Sequence, residues 1–123
     1  MVPMLLLPEN VAHQDGNSEA IALVSGRGKP LLLTLGITRT LEQESLEISL
    51  WGSSDKEHWR LLTTFPQKFY CGTYSLLLDL TRSTDVSYLR IGWKMNRWGY
   101  GDARPLFGFY VAAEEAKLQV AGA

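Results

Sequence analysis

The stretch Ser45 to Phe65, SLEISLWGSSDKEHWRLLTTF, constrains this chain more than any other. Leu46, Ile48 and Leu50 alternate with Glu47, Ser49 and Trp51, and a period of two sends one set of side chains to each face of a strand. The first set is expected to face a core, leaving Trp51 on the outer face. Gly52-Ser53-Ser54-Asp55-Lys56 is turn chemistry, because Ser and Asp side chains bond nearby backbone groups and Gly tolerates positive φ. Trp59 opens the returning strand and is expected in the core.

The same punctuation recurs along the chain. Met4 to Leu7 is an apolar run of four residues bracketed by Pro3 and Pro8, shorter than the roughly 7–15 residues of a secretory h-region. It reads as an edge strand or an arm that packs its leucines on the body or on a second subunit, and a cytoplasmic protein is expected. Glu9 to Ser18 is polar and carries the Asp15-Gly16 turn signature. Strands follow at 20–24 and 31–37, joined by Gly26-Arg27-Gly28-Lys29-Pro30. That turn lacks the Gly-Lys-Ser/Thr order and the following helix of a phosphate loop. Thr38 to Glu44 has helix propensity but is too short to stand as a helix. Tyr74 to Leu80, Tyr88 to Met95 and Leu106 to Ala113 complete the strands. In Tyr88 to Met95, Leu89, Ile91, Trp93 and Met95 fall on one face and Tyr88, Arg90 and Lys94 on the other.

Seven or eight short strands with turns every 8–12 residues predict an all-β fold, an antiparallel jelly-roll β-sandwich. A chain of 123 residues fits one domain spanning 1–123, with 1–17 as arm and loop and 114–123 as a polar tail. Twelve basic against 13 acidic residues leave a net charge of −1, so no global field draws the protein to nucleic acid or anionic lipid. No window approaches the roughly 20 apolar residues of a membrane span.

The run Leu46 to Leu50, then Ser53-Ser54-Asp55, Trp59 and Phe65, resembles the strand, Ser-x-Asp-Gly, Trp hairpin of discoidin-like domains in the galactose-binding-like superfamily. Tyr88-Leu89-Arg90-Ile91 is similar to that family's penultimate strand, and Phe107, Phe109 and Val111 to its closing one. The resemblance implies an eight-stranded jelly roll without catalytic residues or cofactor, binding glycans, lipids or proteins through loops at one end. The chain departs from the family in lacking its bracketing cysteine pair and in placing Lys56 where the hairpin has glycine. Small sandwiches with a Ser-x-Asp hairpin also serve as structural components of phage-like assemblies.

The raw material for catalysis is thin. His13, His58 and Cys71 are the only imidazole and thiol groups, with no metal-ligand spacing, and a lone cysteine is most simply a small core filler. Glu42, Glu44 and Glu47 read as solvated charges. No metal, no cofactor and no enzyme activity are therefore expected.

The stretch 93–104, WKMNRWGYGDAR, gathers Asn96, Arg97, Trp98, Tyr100, Asp102 and Arg104 on one glycine-rich loop. Trp, Tyr and Arg are the residues of protein-interface hot spots, and aromatic rings flanked by Asn, Asp and Arg also suit pyranoses. A third reading folds Trp98 back over the sheet end. Trp51, Phe69 and Tyr70 are secondary candidates. Trp51 with Leu32, Tyr88 and the leucine arm suggests an outer sheet face covered in an oligomer. The expected role is a binding or assembly module for a protein partner or a second copy, with a glycan as the alternative ligand.

Overall fold

The computed structural model describes residues 4–23, 28–41, 44–97 and 105–116. These form nine strands: β1 (Met4–Ala12), β2 (Gly16–Asn17), β3 (Ile21–Ala22), β4 (Pro30–Thr40), β5 (Glu44–Ser53), β6 (Arg60–Thr64), β7 (Gly72–Asp79), β8 (Tyr88–Arg97) and β9 (Phe107–Glu115). No helix occurs among the described residues, so none there is long and apolar enough to cross a membrane. All the pairings are antiparallel, in one sheet ordered β1-β9-β4-β7 and another ordered β2-β8-β5-β6. The short β3 also pairs with β8, beyond β2, so the two pieces form one interrupted strand along the same edge.

The two sheets pack face to face as a β-sandwich, because alternation gives each an apolar inner face. From the four-stranded sheet come Leu31, Leu33, Leu35 and Ile37 of β4 and Phe107, Phe109, Val111 and Ala113 of β9. From the five-stranded sheet come Leu46, Ile48 and Leu50 of β5 and Leu89 and Ile91 of β8. Trp93 and Met95 continue the β8 stripe at the rim, half-buried against the core. The Trp93 ring meets Phe109 edge-on at 5.7 Å, and its indole N–H donates to the Gln14 carbonyl at 2.9 Å.

Several elements differ from the sequence reading. β1 runs through Ala12 rather than stopping before Glu9, as the edge partner of β9, with irregular register around Pro8. An edge strand tolerates a proline because one side of its backbone has no partner strand to bond. β4 and β5 extend into 38–44, leaving little connection between them. Cys71 is exposed, just ahead of β7, rather than filling the core.

Trp59 is the instructive correction. It is half-buried on the outer face instead of lying in the core. In the β5–β6 pairing Leu50 faces Thr63 while Trp51 faces Leu61, so Leu62 is an extra residue, a β-bulge. One inserted residue reverses the facing of everything beyond it. Phe65, on one side of the bulge, is buried, and Leu61 and Trp59, on the other side, turn outward.

Candidate binding face on the five-stranded sheet

That bulge shapes a concavity on the outer face of the five-stranded sheet. Inner and outer residues alternate along β5 and β8, so Trp51 lies opposite Arg90, Ser49 opposite Gly92 and Glu47 opposite Lys94, all on the outer face. Trp59, just ahead of β6, and Leu61 and Thr64 of β6 lie along one side, and Asp15 with Gly16 and Asn17 of β2 closes the other. Together they line a groove of about 740 Å³.

Gly92 is its floor. A side chain there would stand 3.0 Å from Asn17 Oδ1 and 3.2 Å from Trp51 Nε1, closer than ordinary packing allows. The indole of Trp51 therefore lies down across the β8 backbone, where a larger residue at 92 would lift it. At the β6 side, the Arg90 guanidinium stacks 4.5 Å from the Trp59 ring, a cation–π contact that fixes both groups, and Trp59 Nε1 donates to the Lys56 carbonyl at 3.2 Å. Asp15 Oδ1 accepts the Met95 N–H at 2.7 Å, which fixes the far rim to the sheet.

A second cleft of about 820 Å³ follows residues 10–17, with Trp93 as its one aromatic. The indole N–H of Trp93 is already bonded to the Gln14 carbonyl within that cleft.

Two turns flank these surfaces. Ser53 Oγ accepts the N–H groups of Asp55 and Lys56 at 3.1 and 2.9 Å and donates to Asp55 Oδ1 at 2.9 Å. Asp55 Oδ1 in turn accepts the N–H groups of Glu57 and His58 at 2.8 and 2.9 Å. The His58 backbone N–H, then its ring, then Glu57 N–H and the Ser53 hydroxyl, hold the Asp55 carboxyl far below the ordinary carboxylate range. Asp55, Glu57 and His58 are the one grouping among the described residues with metal-ligand proximity; all three are exposed, and the Asp55 carboxylate and the His58 ring are already bonded to each other in the turn. Glu44, expected to be solvated, is 1% exposed. Its carboxylate accepts from the Thr40 hydroxyl and the Leu41 N–H, both at 2.7 Å, and from the Leu106 N–H at 2.9 Å.

Of the sequence-predicted site residues, Asn96 and Arg97 end β8, the first exposed and the second half-buried. Trp98, Tyr100, Asp102 and Arg104 lie outside the described residues. Trp51 is in the groove. Phe69 and Tyr70 are exposed, 75% for Tyr70, and their rings tilt together at 6.4 Å, apart from the groove. The sequence reading missed Trp59, Arg90, Glu47 and Lys94 as one site. Alternation alone places Glu47, Trp51, Arg90 and Lys94 on outer faces, but pairing β5 with β8 in register and adding Trp59 requires the bulge. Comparison with protein families, curated proteins and solved structures returns no match to this chain.

Proposed function

We propose that this chain is a non-catalytic recognition module, built on a jelly-roll frame, that binds a carbohydrate chain across the outer face of its five-stranded sheet. The strand orders β1-β9-β4-β7 and β2-β8-β5-β6 support that frame. The observation that carries the binding reading is the placement of Trp51 and Trp59 in one groove with a bare Gly92 floor and polar side chains on the flanks. Indole faces match the apolar C–H faces of pyranoses, while Arg90, Asn17, Ser49 and Glu47 offer donors and acceptors to hydroxyls. Trp51, Arg90, Asn17, Ser49 and Glu47 stand on strands, which lowers the ordering cost of binding.

The test is titration calorimetry with cello-, xylo- and mannohexaose and with uronate hexamers, using wild type, Trp51→Ala and Trp59→Ala. Binding of at least one hexasaccharide that weakens about tenfold or more in both variants, with β circular dichroism retained, is the expected result. Folded variants with unchanged affinity, or no binding to any saccharide, overturn the reading.

A protein partner is the second reading, and the observation favouring it is the exposed Phe69–Tyr70 pair before β7, with the exposed Leu77 on that edge strand. An edge strand with apolar flanks suits strand addition by another chain. Loss of a pulled-down partner on Tyr70→Ser, with the groove variants unaffected, would favour this reading over the first.

A further inference from the structure

The groove's charged groups are unequally engaged, and the inequality bears on which sugar enters it. Asp15 is engaged by the Met95 N–H at 2.7 Å. Lys94 has Glu47 directly across the ladder, a carboxylate that offsets the charge at that end. Arg90 has no such counterpart. Its partner across the ladder is Trp51, and its one recorded contact is the Trp59 ring at 4.5 Å. Its Nε is shielded from water with no acceptor, and no carboxylate among the described residues pairs with it.

An arginine stacked on one tryptophan, with a second opposite it on the ladder and no carboxylate bonded to it, offers a planar fork to a bidentate acceptor, although Asp15 and Glu47 line the same groove. Guanidinium matches carboxylate in that geometry, and ring stacking removes much of the side-chain freedom that binding would otherwise have to restrict.

Resting on the carbohydrate reading above, we propose that the ligand is an anionic glycan, a uronate-containing chain. One sugar carboxylate docks on the Arg90 guanidinium between Trp51 and Trp59. Neighbouring sugars extend over Gly92 toward Lys94 and Glu47, where the mixed charges bond hydroxyls. The proposal concerns binding alone, and no covalent step is involved.

The experiment compares hexamers of galacturonate and of mannuronate, each as the free acid and as its neutral methyl ester, by calorimetry on the full chain at two salt concentrations. The expected result is that at least one free acid binds about tenfold or more tightly than its own ester, with the advantage reduced at high salt. Arg90→Leu should abolish that advantage, bringing acid and ester to the same affinity, and Arg90→Lys should recover only part of it, because lysine lacks the fork. The acid-to-ester comparison on wild type decides the matter even if a variant fails to fold. Equal binding of acid and ester, or binding only of neutral cello-, xylo- or mannohexaose, overturns the anionic assignment and leaves the carbohydrate reading standing. Absence of binding to every saccharide overturns both.

Discussion

The turn around Ser53 to His58 and the junction around Glu44 each rest on a carboxylate that accepts two backbone N–H groups, yet they are made differently. Asp55 takes both from residues within three positions of itself, and its turn stands exposed. Glu44 takes one from Leu41, three positions away, and the other from Leu106, 62 positions away, in a buried setting. The first device closes one hairpin. The second joins the β4–β5 junction to the start of β9, and so ties the two sheets together at one end of the sandwich. Locality makes the first readable from a short peptide and gives it small energetic reach, whereas the second has reach because it is non-local.

Glu44→Ala should therefore have the largest effect. It leaves the Leu41 and Leu106 N–H groups without their acceptor, each costing about 1–3 kcal/mol when buried. Because Leu41 is exposed and Leu106 half-exposed, water recovers part of that, and a total of about 2–4 kcal/mol is expected from urea unfolding. Glu44→Gln, with one oxygen in place of two, should fall between. A loss below about 1 kcal/mol for Glu44→Ala would break the comparison by putting this junction on the same footing as the exposed turn.

The contrast also marks what could be read in advance. Alternation at Leu46, Ile48 and Leu50 placed β5 and its core face correctly, and Leu89 and Ile91 did the same for β8, because a strand's facing depends only on parity along a few residues. Ser53 and Asp55 announced their turn for the same reason. Glu44 could not be told from its neighbour Glu42, since the donor that buries it lies at Leu106. Trp59 was expected in the core as the opener of the returning strand, but the bulge at Leu62 turns it outward, and a bulge is a property of two strands in register rather than of one. The groove inherits that difficulty: Trp51 and Arg90 were assigned to outer faces, but only pairing sets them opposite each other and only the bulge brings Trp59 beside them.

Acid sharpens the comparison at an intermediate level. The folded-state pKa of Asp55 lies well below its unfolded value of about 3.9, so its contribution is complete above that value and is lost as pH falls through the folded pKa. Asp55→Asn should accordingly be less stable than wild type near neutral pH, and the gap should narrow steadily below about pH 4. Urea midpoints of the two proteins across that range check it. A gap that stays constant, or widens, on acidification would show that the turn depends on the shape of the Asp55 side chain and not on its ionised form.

The smallest effect concerns Lys56, whose φ of 68° places a non-glycine residue in the left-handed region. Glycine there relieves about 1 kcal/mol of backbone strain, but it also gives the unfolded chain more freedom, worth about 0.4–1 kcal/mol. The substitution further removes the Lys56 ammonium from above the Tyr88 ring, 4.9 Å from its centroid, an exposed contact of about 0.5–1 kcal/mol. These terms nearly cancel, so Lys56→Gly should shift stability by no more than about 0.5–1 kcal/mol in either direction. The result sharpens the comparison because the hydrogen bonds that Ser53 and Asp55 accept from backbone N–H groups survive the change. If the turn is as local as its bonding indicates, the acid dependence of Lys56→Gly will match that of wild type. A marked loss of stability together with an altered acid profile would mean that the lysine side chain, reaching across to Tyr88 at the start of β8, holds the hairpin from outside.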